Sequence, residues 1–425
     1  MRSLSTVVTS WVCIAAAGPV TVYLVLFHDA AAAAAAAVCF ALLVWPRPDL
    51  ALLMLLGLIP VVAVVDPGGT TLPAMVMGAV ALLLFRIALN GLHLRVDLAL
   101  IMLTAFAVTA SYLLPQEQLS IEQPWKACAL LLVGLGLLVA SILAPPDPRH
   151  IVRVVAGSGA GVAVSLIVQG EYAADRLTGL GLNPNYVGAM LALSLVAAVG
   201  LVRLNRSWVW LLPALVCAAA LLETRSRGAF LAAAAGLASV LLAGRLLRHK
   251  VLIALAILVA ALVLPGTLDS VENDLTGSRT STELTANTEV RKQAALLAVR
   301  VALDHPFRGI GYGMFPDYAR TSSILGIYIN THNDYLRLAA EAGIVALVLF
   351  VALLWLGLAR RYAADHAILQ SLGVAYSVGL LFANTLTDLL VSAPFWVSLG
   401  CLLAHSSHRK TVPSPVALPH VRKAE

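Results

Sequence analysis

Apolar residues run in blocks of about twenty along most of this chain, separated by short turns carrying arginine, proline, glycine or aspartate. A block of that length crosses a hydrocarbon core of about 30 Å as a helix. The pattern predicts spans near 7–27, 29–45, 48–65, 71–90, 96–114, 124–144, 149–169, 184–204, 206–222, 227–247, 250–265, 332–359, 364–383 and 390–405. The expected architecture is therefore an all-α polytopic membrane protein with about 12–14 transmembrane helices. Transmembrane helices occupy 1–264, a loop 265–331, further transmembrane helices 332–405, and a basic tail 406–425. An apolar run ahead of Ala15-Ala16-Ala17 continues to Phe27, which suits an uncleaved first span better than a signal peptide.

The stretch from Pro265 to Thr331 is the one long polar interruption. Inside it, Asn287–Asp304 reads as a helix, because Val290, Ala294, Leu297 and Val301 recur at helical spacing while Arg291, Lys292 and Arg300 are polar. Two placements are open for it: apolar face down on the membrane interface, or packed on the loop's own core. The run Gly309-Ile310-Gly311-Tyr312-Gly313 follows. Alternating glycines serve either a tight reversal or the presentation of N–H groups to an anion.

Composition agrees with the pattern. With 60% hydrophobic and 12% charged residues over 425, the chain lacks the polar surface a soluble globule of this size needs. The net charge of +6 is explained by anchoring residues and does not point to nucleic acid. Arg47, Arg95, Arg149, Arg203, Arg206, Arg245, Arg248, Lys250, Arg360 and Arg361 fall on alternate span ends, which the positive-inside rule makes cytoplasmic. Both termini then lie inside, and the 265–331 loop faces outward. Cys13, Cys39, Cys128, Cys217 and Cys401 sit in apolar spans without C-x-x-C, as small core residues. No histidine pair has zinc-site spacing, so neither metal nor cofactor is expected.

Charged groups near membrane depth are rare and mark function. Thr331-x-x-Asp334 has capping-box spacing and would put His332 at the first helical position. The partial positive charge there disfavours imidazolium, leaving a neutral base. The plainer alternative is a histidine that only terminates a helix. Arg337 and Glu341 are spaced to pair on the part of the 332–359 helix that would protrude. Glu223-Thr224-Arg225-Ser226-Arg227-Gly228 is an outward turn with two arginines, against the charge trend. Two guanidinium forks there can chelate a phosphate; pairing with Glu223 or a loop carboxylate is the alternative. Arg176 precedes Asn183-Pro184-Asn185, where Asn183 at N-cap and Pro184 at N1 open the next span. Arg176, Arg225, Arg227, Arg291 and His332 all fall on one membrane face, an arrangement suited to an anionic head group carried on a lipid.

These segments, in this order, resemble the O-antigen ligase/polymerase superfamily. The resemblance rests on R-x-x-G…N-P-N at Arg176–Asn185, T-x-S-R-G at Thr224–Gly228, a shortened glycine motif at Gly311–Phe315 and H-N-x-Y-L at His332–Leu336. It covers roughly residues 170–345, with the ligase branch the nearest. It implies a GT-C-like, inverting, metal-independent glycosyltransferase at the periplasmic face of the bacterial inner membrane. The donor implied is a glycan on undecaprenyl pyrophosphate, the acceptor a sugar of lipid A–core, with membrane lipids as surroundings. His332 takes the role of acceptor-activating base. Arg225, Arg227, Arg291 and Arg176 recognise pyrophosphate, and Asn333 and Asn185 support. The glycine spacing departs from the family pattern, so no role passes to Gly311 or Gly313. An O-antigen polymerase, a protein O-oligosaccharyltransferase and, from another class, a lipid-linked oligosaccharide flippase are the rival readings.

Overall fold

A computed structural model describes residues 40, 44–65, 71–89, 96–115, 124–205, 207–243, 281–362 and 364–411. The expected spans 7–27 and 250–265, and most of 29–45, lie outside the described residues. The helices are α1 (Pro48–Val65), α2 (Thr71–Ala88), α3 (Val96–Leu113), α4 (Pro124–Leu143), α5 (Pro148–Gln169), α6 (Pro184–Asn205) and α7 (Leu211–Thr224). They continue with α8 (Arg227–Leu241), α9 (Ser281–Asp304), α10 (Phe315–Thr321), α11 (Asp334–Ala342), α12 (Ile344–Leu358), α13 (Ala364–Gly379) and α14 (Leu389–Thr411). α1, α3, α4, α5 and α6 are long and apolar enough to cross a membrane, and α2, α7, α8, α12 and the first part of α14 are shorter apolar helices. The chain is an all-α polytopic membrane protein.

Between helices the interior is closed by small residues meeting large ones, as lipid-solvated helices require when no hydrophobic effect drives them together. Gly134 of α4 lies directly under the Trp396 indole of α14. Trp396 continues into an aromatic chain through Phe350 of α12 (6.1 Å) to Tyr335 of α11 (6.1 Å). Gly236 of α8 lets Val196 of α6 and Ala375 of α13 approach, and Ser371 Oγ donates to Ser239 Oγ at 3.0 Å across the α13–α8 seam.

The continuous helix expected over 332–359 is two helices. Gly343 stands between them at φ +91°, and the chain of 305–311 packs into the break: Ile344 N donates to Pro306 O (2.7 Å), Ile310 N to Ala340 O (3.0 Å) and Gly311 N to Glu341 O (3.0 Å). α11 is a separate nine-residue helix with Leu338, Ala339, Ala340, Glu341 and Ala342 buried. Its length of about 13 Å is too short to cross a bilayer, so it forms the floor on which the loop is built.

α9 answers the open question of the loop helix. Leu297 and Val301 are buried with Ile310, Met314, Phe315 and Ala340 in a small core of the loop itself, and Ala294 on the same face is buried as well. That face packs on protein, and the same stripe does not lie on the membrane.

Candidate functional site

The site forms where the loop, α11 and four helix ends meet. Asp334 opens α11, and its fully buried carboxylate reaches away from the local chain: Thr385 N (2.6 Å) and Leu386 N (2.9 Å) donate to Oδ2, and Asn384 Nδ2 donates to Oδ1 (3.2 Å). These partners in the α13–α14 connection displace the expected capping box. Asn333, not Thr331, is the N-cap, accepting from Tyr335 N (3.0 Å) and Leu336 N (3.1 Å). His332 is accordingly outside the helix, in the left-handed region at φ +52°. A non-glycine residue there is uncommon and held only by its surroundings.

Asn384 supplies that hold. Its Oδ1 accepts the His332 backbone N–H at 2.7 Å while its Nδ2 donates to Thr331 Oγ1 at 3.0 Å. The imidazole is partly buried, and its pKa is pushed down to about 4, first by desolvation and then by the positive charge of Arg291 on α9. The imidazole expected to be neutral has a depressed pKa, but burial and Arg291 lower it, not position at a helix N-terminus. Asp334 is pushed up by burial to about 6, which leaves it a carboxylate at neutral pH, in keeping with the N–H groups it accepts.

The glycine run does face an anion, and the anion belongs to the protein. Glu341 Oε2 accepts from Gly313 N (2.9 Å) and Arg337 Nε (2.9 Å), and Oε1 accepts from Phe315 N (3.0 Å). Gly309, Gly311 and Gly313 all have positive φ, and a Cβ on Gly309 would strike the backbone of Ala340 and Glu341. The Arg337–Glu341 pair forms as spaced, but wholly buried, with the Arg337 guanidinium 5.0 Å over the Tyr312 ring. It anchors the loop to α11.

The arginines arrive from the other side. Tyr172–Ala173 and Arg176–Leu177 form a two-residue-turn hairpin with Ala174 and Asp175 at φ +51° and +57°. From it Arg176 reaches the end of α7, Nε donating to Thr224 O (2.8 Å) and Nη2 to Asn185 Oδ1 (2.8 Å). Asn185 Oδ1 also accepts from Ser226 Oγ (3.0 Å), and Asn183 caps α6 as expected, through Asn185 N and Tyr186 N. Arg176 is thus a buried brace for the turn that carries Arg225 and Arg227. Arg225 occupies the left-handed C-cap of α7 (φ +46°), and its Nη1 is buried without a hydrogen-bond partner. Arg227, exposed, starts α8, and the next residue, Gly228, packs on Phe382, two positions before Asn384. The start of α8 therefore touches the α13–α14 connection that holds His332.

Residues 212–351 match the family model described as O-antigen ligase. That stretch is similar to the O-antigen ligase family. The match runs from α7 into the middle of α12 and so contains Arg225, Arg227, Arg291, His332 and Asn333, while Arg176 and Asn185 precede it. No curated protein matches the chain.

The described residues thus include an imidazole with a depressed pKa, a cation that acts on it electrostatically, and a guanidinium with a buried N–H donor that has no partner. Such groups can take a proton from a hydroxyl and neutralise an oxyanion. Sequence reasoning passed over Asn384 and the tertiary role of Asp334. Asn384 lies some fifty residues from His332 in the chain, and a lone asparagine after an apolar run carries no local signal.

Proposed function

We propose that this chain transfers a glycan from undecaprenyl pyrophosphate to a sugar hydroxyl of lipid A–core, on the periplasmic side of the bacterial inner membrane, as an inverting, metal-independent enzyme of GT-C-like design. The observation that carries the reading is the neutral, partly buried His332 beside Arg291, at the same end of the bundle as Arg225 and Arg227. In the proposed step His332 removes the acceptor hydroxyl proton as that oxygen bonds to the anomeric carbon. The anomeric C–O bond breaks, and its electron pair leaves on undecaprenyl pyrophosphate. Arg225, Arg227 and Arg291 stabilise the departing charge, which preorganised cations do best in a water-poor site. Arg176 and Asn185 act behind them by bracing the Thr224–Ser226 turn, and Asn333 by setting the start of α11.

The test is reconstitution of the full chain in liposomes with a polyprenyl-pyrophosphate-linked glycan and lipid A–core. Transfer to lipid A–core in excess chelator, abolished by His332→Ala with donor binding retained, is the expected result. Elongation of a second donor molecule in place of lipid A–core would make the chain a polymerase. Full activity of His332→Ala would remove the base.

A further inference from the structure

α9 has a second apolar row, on the side turned away from the loop core. Leu296 (60% exposed), Val299 and Leu303 (68%) follow one another along the outward face of its C-terminal half. The turn before the row is polar on that face, with Glu289 and Lys292 paired at 3.8 Å. The row leads through His305-Pro306 to Phe307, 76% exposed. Phe307 is fixed in place, since its carbonyl lies against Gly343 and Pro306 O accepts Ile344 N at 2.7 Å. It therefore stands at the head of α12, whose own exposed residues Val345, Val348, Val351 and Trp355 form the lipid-facing stripe of an apolar helix. Phe307 thus links the end of the α9 row, along the chain, to the head of α12.

We infer that the C-terminal half of α9, together with Phe307, is seated among the acyl chains of the adjoining leaflet, while its N-terminal half rises into the head-group layer. The polarity gradient along one helix face has this geometry, because a helix lying flat would be apolar along its whole length. Leu296 to Leu303 spans about 10 Å along the axis, enough to pass from head groups to hydrocarbon when tilted. The consequence is positional. Arg291, one turn before the row begins, is held at head-group height, where it acts on His332. The inference does not depend on the reaction proposed above.

It is tested by placing the photocrosslinker p-benzoylphenylalanine singly at Lys292, Leu303 and Phe307 of the full chain in phospholipid nanodiscs, with intact-mass readout. Phospholipid adducts at Leu303 and Phe307, at least fivefold more abundant than at Lys292, are expected. Equal yields at all three positions, dimer-mass products indicating a second copy on this face, or crosslinks within the chain to residues 244–280 would each overturn it.

Discussion

The side-chain oxygen of Asn384 accepts the backbone N–H of His332 at 2.7 Å, joining the α13–α14 connection to the residue proposed as base. His332 holds a left-handed conformation, which the bond stabilises against relaxation. Asn384→Ala removes that restraint together with the Thr331 and Asp334 contacts. A displacement of about 1 Å at a reacting group can lower rate by about 10²-fold. The expected outcome is a drop of that order in kcat with donor KM within about threefold, measured in the liposome transfer assay. A parallel loss in donor affinity would mean that Asn384 acts on the arginine arm instead.

The acid limb of kcat/KM should report His332 in the free enzyme. Its pKa is depressed to about 4, so the neutral base persists as pH falls through 6.5, and a limb near 6 would belong to Asp334, not to His332. Arg291→Gln removes a positive charge that opposes imidazolium formation. The limb should then move to higher pH, toward the ordinary histidine value, even after the profile is normalised for any loss of donor binding. A limb that stays in place would mean that burial alone sets the pKa.

Arg176→Lys tests the brace. A lysine cannot donate in the fixed geometry that joins Thr224 O to Asn185 Oδ1, since it presents one rotating ammonium in place of a planar fork. Hydrogen bonds from charged groups contribute about 1.5–3 kcal/mol, so donor binding should weaken about tenfold as Arg225 loses its position. Direct titration with polyprenyl pyrophosphate measures this. If Arg176→Lys binds donor normally, the turn is held by Asn185 and Ser226 without it.

The helices were legible in the sequence wherever the apolar block was bounded by its own turn chemistry. Asp147 caps α5, Asn183 caps α6 with Pro184 at N1, and the predicted limits of both fall within about one residue. The 332–359 block misled because its break is not encoded by a helix-stopping cluster. Gly343 stands at the break with no proline or turn cluster beside it, and the break is imposed by residues 305–311, which satisfy the freed backbone groups. Thr331-x-x-Asp334 misled for the same reason. Asp334 has local capping geometry available, yet three donors from residues 384–386 claim its carboxylate. The arginines were recognisable as a set from their disagreement with the charge trend. That Arg176 braces while Arg225 keeps a free donor is a tertiary fact, invisible to spacing.

The Glu341 carboxylate is the anion around which the glycine loop folds, and its removal separates two kinds of stability. Glu341→Gln keeps the shape but turns an N–H₂ toward at least one donor and leaves the buried Arg337 guanidinium uncompensated. Breaking a buried pair from one side costs about 3–5 kcal/mol. Exchanging both partners for apolar groups removes the unpaired charge, although the N–H groups of Gly313 and Phe315 then lose their acceptor. Arg337→Met with Glu341→Leu should therefore be less destabilised than Glu341→Gln alone, as read by thermal unfolding in detergent. The glycine loop should nonetheless become protease-sensitive in the double variant, because no side chain is left to order it. Protection of the 309–315 segment in that variant would show that docking on α11, and not the carboxylate, shapes the loop.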